Sequence, residues 1–231
     1  MDQEDKNRRT VVITGCSVGA GYAAAMRMAR EGWRVFAAVR NQGDADRLEK
    51  DAEGSLRAVL CDVRDRNQAF LPLLRQAKGR IINVTSGSVL FTMPMMSTYP
   101  ASKLGLELLS RQLQAEVAGF GVHVCVLDPG HIKSRMTQTA GEASSAARAK
   151  LPAAANELYG DMLDRMAELS REMEGSGKEP DQVADIYFQA LTESKPKAFY
   201  MVGSDAKGLR RASRWLPQWA RMKIANRIMT G

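Results

Sequence analysis

The feature that most constrains the fold is an alternation, along the chain, of short β-branched runs with helix-forming segments. The runs that fit buried strands cover residues 9–15, 33–40, 55–63, 79–86 and 122–130. Helix-forming stretches stand between them, including the long segment at 99–121. Parallel strands need crossover connections of this size, and the crossovers cover both faces of the sheet. The sequence therefore predicts an α/β fold with a doubly wound, Rossmann-like parallel sheet.

A glycine-rich segment separates the first run from the helix-forming stretch that follows it. Its sequence is Gly15-Cys16-Ser17-Val18-Gly19-Ala20-Gly21. In doubly wound folds, ligands bind at the carboxyl ends of the strands. Glycines let the chain turn tightly there, and free N–H groups at a helix start attract phosphate. A tight turn alone would also explain three glycines, but their position after the first strand favours a pyrophosphate site.

Polar residues at the ends of the next two runs indicate the adenosine half of a dinucleotide site. Arg40 ends the second run, where an acid would bind the 2′-hydroxyl of NAD and an arginine accommodates the 2′-phosphate of NADP. The sequence therefore favours NADP(H), with NAD(H) as the alternative if Arg40 is only a solvated surface residue. Asp62 ends the third run. Its carboxylate could accept a hydrogen bond from the adenine amino group or cap the next helix.

Tyr99 and Lys103 stand four residues apart at the start of the long helix-forming segment, so they share a helix face. A phenol acts as a base near neutral pH only where nearby cations stabilise the phenolate, and an ammonium four residues away can do so. Ser86 ends the preceding strand and could hydrogen-bond a substrate carbonyl oxygen. Each residue alone is unremarkable, but the ordered set indicates acid–base chemistry on an alcohol or a carbonyl.

Taken in chain order, these motifs resemble those of the short-chain dehydrogenase/reductase family, and most of all its retinol- and hydroxysteroid-dehydrogenase-like branch with its bacterial relatives. The matching residues are Thr14–Gly21 (TGxxxGxG), Asp62, Asn83-Val84-Thr85-Ser86, Tyr99-Pro100-Ala101-Ser102-Lys103 and Asp128-Pro129-Gly130. The resemblance runs from about residue 9 to the end of the chain. It implies hydride transfer between NADP(H) and a small apolar or secondary alcohol, or its carbonyl, of the retinoid or steroid type.

The resemblance also implies a role for each candidate residue. Tyr99 is expected to donate or accept the proton, Lys103 to stabilise the phenolate and hold the nicotinamide ribose, and Ser86 to orient the substrate oxygen. The residues expected to line the cofactor are Gly15, Ser17, Val18, Gly19, Ala20, Gly21, Arg40, Asp62, Tyr99, Lys103 and Ile132. No metal site is expected.

The stretch between the third and fourth runs is too short for a complete member of that family. Only 18 residues lie between Asp62 and Ile81. A βαβ unit takes about 30 residues, and by the resemblance roughly 50 are absent, including a central strand and a helix with a catalytic asparagine. Asn67 is close in sequence but does not align with that asparagine. We therefore expect a sheet without its central strand, in which either a gap remains or the first strand pairs directly with the Ser86 strand, and weak or no turnover. The alternative function is that of an inactive nucleotide-binding homologue that acts through partner binding.

Composition sets the expectations for domains and compartment. The chain is expected to form one domain, 1–231, with a substrate lid at about 136–179 and a basic tail at 206–231. Its three cysteines are far apart, without disulfide or metal spacing, and the first residues do not resemble a signal peptide. These features favour a cytoplasmic location. His123 alternates with apolar residues in a strand and is expected in the core.

The tail, 206–231, carries the net charge of +7, since it has seven basic residues and no acidic one. A uniformly basic nucleic-acid binder is therefore not expected. The mixture of bases and large apolar residues fits peripheral contact of a helix with an anionic membrane. It also fits a helix packed beside the substrate pocket with its charges in water, and the sequence favours this second interpretation. A homo-oligomer is compatible with the helices that usually form dimers in this family, one of which begins near Tyr99.

Overall fold

Six strands alternate with seven helices in the part of the chain that the structure describes. The computed structural model describes residues 9–62, 64, 70–90, 96–133, 148–202, 210, 213 and 215–230, and among these it describes the side chains of all but 173–176, 225 and 228–230. The strands are β1 Thr10–Thr14, β2 Arg34–Val39, β3 Arg57–Leu60, β4 Arg80–Val84, β5 His123–Asp128 and β6 Phe199–Met201. The helices are α1 Gly19–Arg30, α2 Gln42–Asp51, α3 Leu71–Ala77, α4 Thr98–Val117, α5 Ala153–Ser176, α6 Pro180–Thr192 and α7 Gln218–Thr230. This order confirms the predicted α/β class.

Local sequence explains where several of these elements begin. Asn41 caps α2, because its side-chain oxygen accepts a hydrogen bond from the Asp44 N–H at 2.9 Å. Glu179 and Gln182 form a reciprocal capping box at the start of α6, and Pro180 occupies the first turn, where its missing N–H costs nothing. The β-branched residues of β1 fit extended, half-buried backbone, and the apolar run from Val35 to Val39 fits the more buried strand β2.

The strands form two parallel sheets rather than one. The first has the order β1-β2-β3, and β1 pairs with β2 from Thr10 opposite Arg34 to Thr14 opposite Ala38. The second has the order β4-β5-β6, with β4 paired to β5 from Arg80 opposite His123 to Val84 opposite Leu127. Among the described residues, β1 and β4 therefore each have one unpaired edge. Of the two expected arrangements, the gap in the sheet is the one found, since β1 does not close it by pairing with β4.

Helices cover both faces of the strands, which is the arrangement of a doubly wound fold. On β5, Cys125 and Leu127 contribute to a core with α6, whereas Val124 packs with residues of α3 and α4. Tyr187 of α6 packs against the core around β2 and also against the core around β5. Since α1 also packs on α6, these two helices connect the two sheets.

The elements differ from the sequence predictions in three places. Strand β3 is shorter than the predicted run at 55–63, and β6 and α6 were not predicted. His123 is exposed at the first position of β5, so its expected place in the core is wrong, because the strand begins at the surface. Residues 136–147 of the expected lid, Asn67, and parts of the tail lie outside the described residues.

The cysteines are free, as their spacing predicts. Cys16 and Cys125 are buried and Cys61 is half-buried. Burial raises the pKa of the Cys16 thiol to about 12, so this side chain is an inert part of the core at neutral pH. Within the described ranges, no helix combines the length and the apolar character that crossing a bilayer requires.

Candidate functional site

Two hydrogen bonds fix helix α4 to strand β4. Asn83 on β4 donates from Nδ2 to Ser110 Oγ at 2.9 Å. Lys103 donates from Nζ to the carbonyl oxygen of Val84, the last residue of β4, at 3.1 Å. The first turn of α4, which contains Tyr99, is therefore held beside the carboxyl end of β4.

The three predicted catalytic residues lie around this junction. Lys103 is half-buried with its Nζ 5.8 Å from the centroid of the Tyr99 ring, and burial lowers the pKa of its ammonium group. Ser86 follows β4 by two residues, and its Oγ accepts a hydrogen bond from the Ser88 N–H at 3.2 Å. The turn at Gly87–Leu90 packs against α4. Ser86, Tyr99 and Lys103 thus stand where β4 ends and α4 begins.

The glycine-rich segment forms the turn from β1 into α1. Gly15 and Gly19 have φ values of +70° and +66°, which residues with a side chain rarely adopt. A Cβ at Gly21 would lie 2.9 Å from the Gly15 carbonyl carbon and closer still to its oxygen, so only glycine lets α1 begin this close to the turn. The Cys16 N–H donates to the Ala38 carbonyl at 3.3 Å and joins the turn to β2.

The start of α1 fits the pyrophosphate of a dinucleotide. Val18 precedes the helix with extended backbone, its side chain makes no capping hydrogen bond, and the first turn contains no acidic residue. Ser17 is half-buried and Val18 is exposed. The N–H groups of Gly19, Ala20 and Gly21 therefore keep the positive end of the helix available for an anion.

At the adenosine end, Asp62 is held by an arginine. Arg64 donates from Nε to both carboxylate oxygens at 3.0 Å and from Nη2 to Oδ2 at 2.5 Å. These hydrogen bonds lower the pKa of Asp62 to about 2. Arg40 is exposed directly after β2, and its charge acts on the same carboxylate. Two guanidinium groups near one carboxylate leave a local excess of positive charge, which fits a 2′-phosphate.

Ile132 is positioned by a short parallel bridge to Lys178. The Lys133 N–H donates to the Lys178 carbonyl at 2.9 Å, and the Lys178 N–H donates to the His131 carbonyl at 2.9 Å. A Cβ at Gly177 would lie 2.7 Å from the Lys133 nitrogen, so glycine is what allows the two segments to meet. The bridge places Ile132 next to the segment that precedes α6 in the chain, and Ile132 packs against the core around β5.

A buried carboxyl group connects the ends of β4 and β5. Asp128 is fully buried, and its Oδ1 accepts a hydrogen bond from the Gly130 N–H at 2.9 Å. A Cβ at Gly87 would lie 3.5 Å from Oδ2, an oxygen without a hydrogen-bond partner among the described residues. Burial raises the pKa of Asp128. Close packing of Gly87 on this carboxyl group helps fix the turn that follows Ser86.

Sequence reasoning missed two arginines of this site, Arg64 and Arg47. Arg47 on α2 donates to the Ser17 carbonyl oxygen and to Asp44 Oδ1, the latter at 2.8 Å. The Asp-x-Arg spacing at 62–64 is a usable signal for the first arginine. For Arg47, the sequence offers only a basic residue in the helix that follows β2, and basic residues are common on helix surfaces.

The turn at Gly15–Gly21 and the two layers of helices define a Rossmann-type dinucleotide-binding protein. The family model described as short chain dehydrogenase matches residues 9–71 and 67–145. The chain belongs to this family, whose members are NAD(P)-dependent oxidoreductases acting on alcohols or carbonyl compounds.

Relatives with assigned names agree with the family. The chain is 27% identical to retinol dehydrogenase 5 of Homo sapiens over 270 positions, covering 90% of this chain and 83% of that protein. It is 27% identical to 17-beta-hydroxysteroid dehydrogenase type 6 of Rattus norvegicus, covering 85% of this chain and 81% of that protein.

The alignments also contain many positions without a counterpart in this chain. Since 90% of 231 residues is about 208, about 62 of the 270 positions aligned with the human protein have no residue from this chain. The two segments of the family match meet at 67–71, between β3 and α3. This is the region where the sequence predicts the loss of a strand and a helix.

Solved structures confirm the fold. A short-chain dehydrogenase from Streptomyces avermitilis has a TM-score of 0.68 at 18% identity, covering 96% of this chain and 98% of that one. A short chain dehydrogenase/reductase from Burkholderia phymatum, solved in complex with NAD, has a TM-score of 0.68 at 17% identity, covering 90% and 92%.

Proposed function

We propose that this protein transfers hydride between NADP(H) and an apolar or secondary alcohol, or its carbonyl, with Tyr99, Lys103 and Ser86 as the catalytic residues. The observation that carries the proposal is the position of Lys103. Its half-buried ammonium group is held by the Val84 carbonyl and lies 5.8 Å from the centroid of the Tyr99 ring. This arrangement sets a fixed cation beside a phenol at the end of β4.

The geometry supports a separate task for each of the three side chains. The Tyr99 phenol gives a proton to the substrate oxygen in reduction and takes it back in oxidation. Lys103 places a half-buried cation beside this phenol, where water screens its charge less than that of a solvated lysine. Ser86 Oγ already accepts a hydrogen bond from Ser88, so its own proton remains available to orient the substrate oxygen.

The nicotinamide dinucleotide, when bound, supplies the hydride donor or acceptor. In this proposal Gly15, Ser17, Val18, Gly19, Ala20 and Gly21 hold its pyrophosphate, Ile132 its carboxamide, and Tyr99 and Lys103 its nicotinamide ribose. Arg40 supports a preference for NADP(H), with Arg64 beside it. Asp62 can accept a hydrogen bond from the adenine only if its exposed ion pair with Arg64 opens, and exposed pairs of this kind contribute little to stability.

The apolar residues of α5 and the relatives support this substrate class. Met162, Leu163, Met166 and Leu169 are half-buried on α5, within the expected lid, and suit a retinoid-, steroid- or similar-type substrate. The named relatives are retinol and hydroxysteroid dehydrogenases.

We further propose that the chain acts as one domain in the cytoplasm. The exposed Leu104 and Leu108 on α4 support a homo-oligomer.

The division of the strands into two sheets favours a second candidate function. The glycine-rich turn belongs to one sheet and the Tyr99–Lys103 junction to the other, and β1 and β4 share no ladder of hydrogen bonds. A misplacement of 1 Å can cost about 100-fold in rate. The second candidate is therefore a nucleotide-binding homologue with weak or no turnover that acts through partner binding.

Thermal melting with and without cofactor tests the proposal. NADPH at 100 times its dissociation constant is expected to stabilise the chain by about 2.7 kcal/mol, and more than NADH at the same concentration. The Tyr99→Phe variant is expected to keep most of this stabilisation, because Lys103 and the glycine-rich turn remain, and to lose turnover of apolar alcohols. Turnover that survives Tyr99→Phe would contradict the catalytic role, and a melt indifferent to both nucleotides would contradict both candidate functions.

A further inference from the structure

The C-terminal segment exposes large apolar side chains that the sequence analysis expected to find packed. The exposed fractions are 88% for Trp215, 69% for Trp219 and 48% for Met222. The favoured interpretation, a helix packed beside the substrate pocket with its charges in water, does not account for the exposure of these side chains. Two neighbouring exposed tryptophans indicate a surface with a partner, because soluble surfaces seldom leave such side chains bare.

Most of the described side chains of α7 are exposed, including those of Gln218, Ile224, Asn226 and Arg227. Trp219, Met222 and Lys223 are spaced three and four residues apart and are all exposed, whereas Ala220 and Arg221 are half-buried. Arg221 Nε donates to the Leu216 carbonyl at 3.0 Å. Helix α7 packs against α5, so the half-buried side has its partner within the chain.

Charge identifies the partner of the exposed side. Residues 206–231 carry seven basic residues and no acidic one: Lys207, Arg210, Arg211, Arg214, Arg221, Lys223 and Arg227. Lys223 and Arg227 are exposed on α7, one and two turns after Trp219. Tryptophan rings lie at the headgroup level of bilayers, and clustered lysines and arginines are attracted to anionic headgroups. The combination of both in one segment matches an anionic lipid surface.

The base of this segment is fixed to the body of the protein. Arg210 donates to Glu107 on α4, with Nη2 2.6 Å from Oε1, and its guanidinium lies 3.6 Å from the centroid of the Phe199 ring. Since Glu107 is almost fully buried, the contact is anchored in the core. Arg210 therefore attaches the start of this segment to the helix that carries Tyr99 and Lys103.

We propose that the face formed by Trp215, Trp219, Met222, Lys223 and Arg227, here called the tail face, docks on the surface of an anionic phospholipid membrane. The rings of Trp215 and Trp219 insert at the headgroup level, and Lys223 and Arg227 pair with lipid phosphates and carboxylates. The contact is peripheral and weakens as salt screens the charges. It does not depend on turnover or on cofactor binding.

Co-sedimentation of the full chain with vesicles tests this proposal. We expect binding to phosphatidylcholine vesicles that contain phosphatidylserine, loss of that binding at high salt, and little binding to phosphatidylcholine alone. Lys223→Ala with Arg227→Ala is expected to weaken binding by about tenfold or more. Trp215→Ala with Trp219→Ala is expected to weaken it by about as much. The matched control, Lys50→Ala with Arg57→Ala, removes the same charge from exposed positions on α2 and β3 and should bind like the original chain.

Three outcomes would overturn the proposal. The first is absence of binding to anionic vesicles at low salt, and the second is equal weakening by the control pair. The third is a concentration-dependent dimer in sedimentation velocity that the tryptophan variant abolishes while vesicle binding persists, since the exposed rings would then belong to an interface between copies. Melting with NADPH, measured on each variant, verifies folding and keeps this result separate from the proposed enzymatic function.

Discussion

A single missing Cβ decides how closely α1 can approach the turn that precedes it. Gly21 lies in the first turn of α1, and the Gly15 carbonyl occupies the space in which a side chain would begin. Gly105, in the interior of α4, has open space around its Cα instead. The two glycines therefore differ in what they contribute: the first permits a contact, and the second only adds flexibility to a helix.

Alanine at each position separates these roles. Gly21→Ala should force the turn and α1 apart, lower the free energy of unfolding by about 1–3 kcal/mol and abolish the stabilisation by NADPH. Gly105→Ala should raise the free energy of unfolding by about 0.5–1 kcal/mol and leave NADPH binding intact. Urea unfolding and thermal melting with NADPH measure both effects. Normal NADPH binding by Gly21→Ala would contradict the placement of the pyrophosphate at this turn.

Helix α4 combines the catalytic junction with an anchor for the tail. Along its length, Lys103 and Ser110 contact β4, while Glu107 binds Arg111 and Arg210. Burial alone would disfavour the ionised Glu107, but the hydrogen bonds from both arginines hold its pKa below the ordinary value. One carboxylate therefore depends on two cations, one from its own helix and one from the C-terminal segment.

Removal of the tail cation should destabilise the protein in a pH-dependent way. Arg210→Met leaves a buried carboxylate with one partner and should lower the free energy of unfolding by about 2 kcal/mol near pH 7. Because the folded pKa of Glu107 is depressed, its stabilising effect is present above the unfolded pKa of about 4.3 and is lost as pH falls through the folded value. The difference between the original chain and the variant should therefore be full above about pH 5 and shrink below it.

Urea unfolding across this pH range makes the measurement. Arg227→Met, at an exposed position on α7, is the matched control and should change the free energy of unfolding little at any pH. A loss of stability by Arg210→Met that stays constant from neutral to acidic pH would show that Arg210 contributes through its packing on Phe199 rather than through Glu107.

The elements that could be predicted are those with a strong local pattern. The β-branched runs and the long helix after Tyr99 appear where the sequence places them, since burial on a sheet and helix periodicity leave clear traces. Strand β6 has three residues, too few for a period-two pattern to be recognised. The order of the motifs and the family resemblance indicated Ser86, Tyr99 and Lys103, whereas the contact of Lys103 with Val84 depends on how α4 packs against β4. The exposure of Trp219 likewise depends on which side of α7 faces α5.

At the scale of the whole molecule, the packing of helices connects the two sheets at the place where a continuous sheet would have a central strand. Tyr187 packs against both cores, and α1 packs on α6, so side-chain packing connects the two sheets in place of ladder hydrogen bonds. Unpaired strand edges are also sites of non-native pairing. The cofactor end and the catalytic end of the site are therefore less rigidly connected than a paired strand between them would make them.

Insertion of the corresponding segment of a full-length relative between β3 and α3 tests this view. We expect turnover to rise by about 10–100-fold, because a strand between β1 and β4 would fix the distance from the glycine-rich turn to Tyr99. Turnover assays and thermal melting make the comparison. A glycine–serine insert of equal length is the matched control and should improve neither, since it cannot pair with the strand edges. Unchanged turnover with the natural segment would mean that the gap does not limit catalysis.

The gap also changes where the chain resists exchange of its amide hydrogens with heavy water. In one continuous sheet β1 and β4 would be interior strands, but here the interior strand of each sheet is β2 or β5, and these two are also the more buried. The residues of β1 and β4 are half-buried or exposed, and alternate amides along each strand point away from its only partner. The slowest amide exchange should therefore occur in two separate strands, β2 and β5, each at the centre of its own core. The amides of β1 and β4 should exchange as fast as those of surface strands.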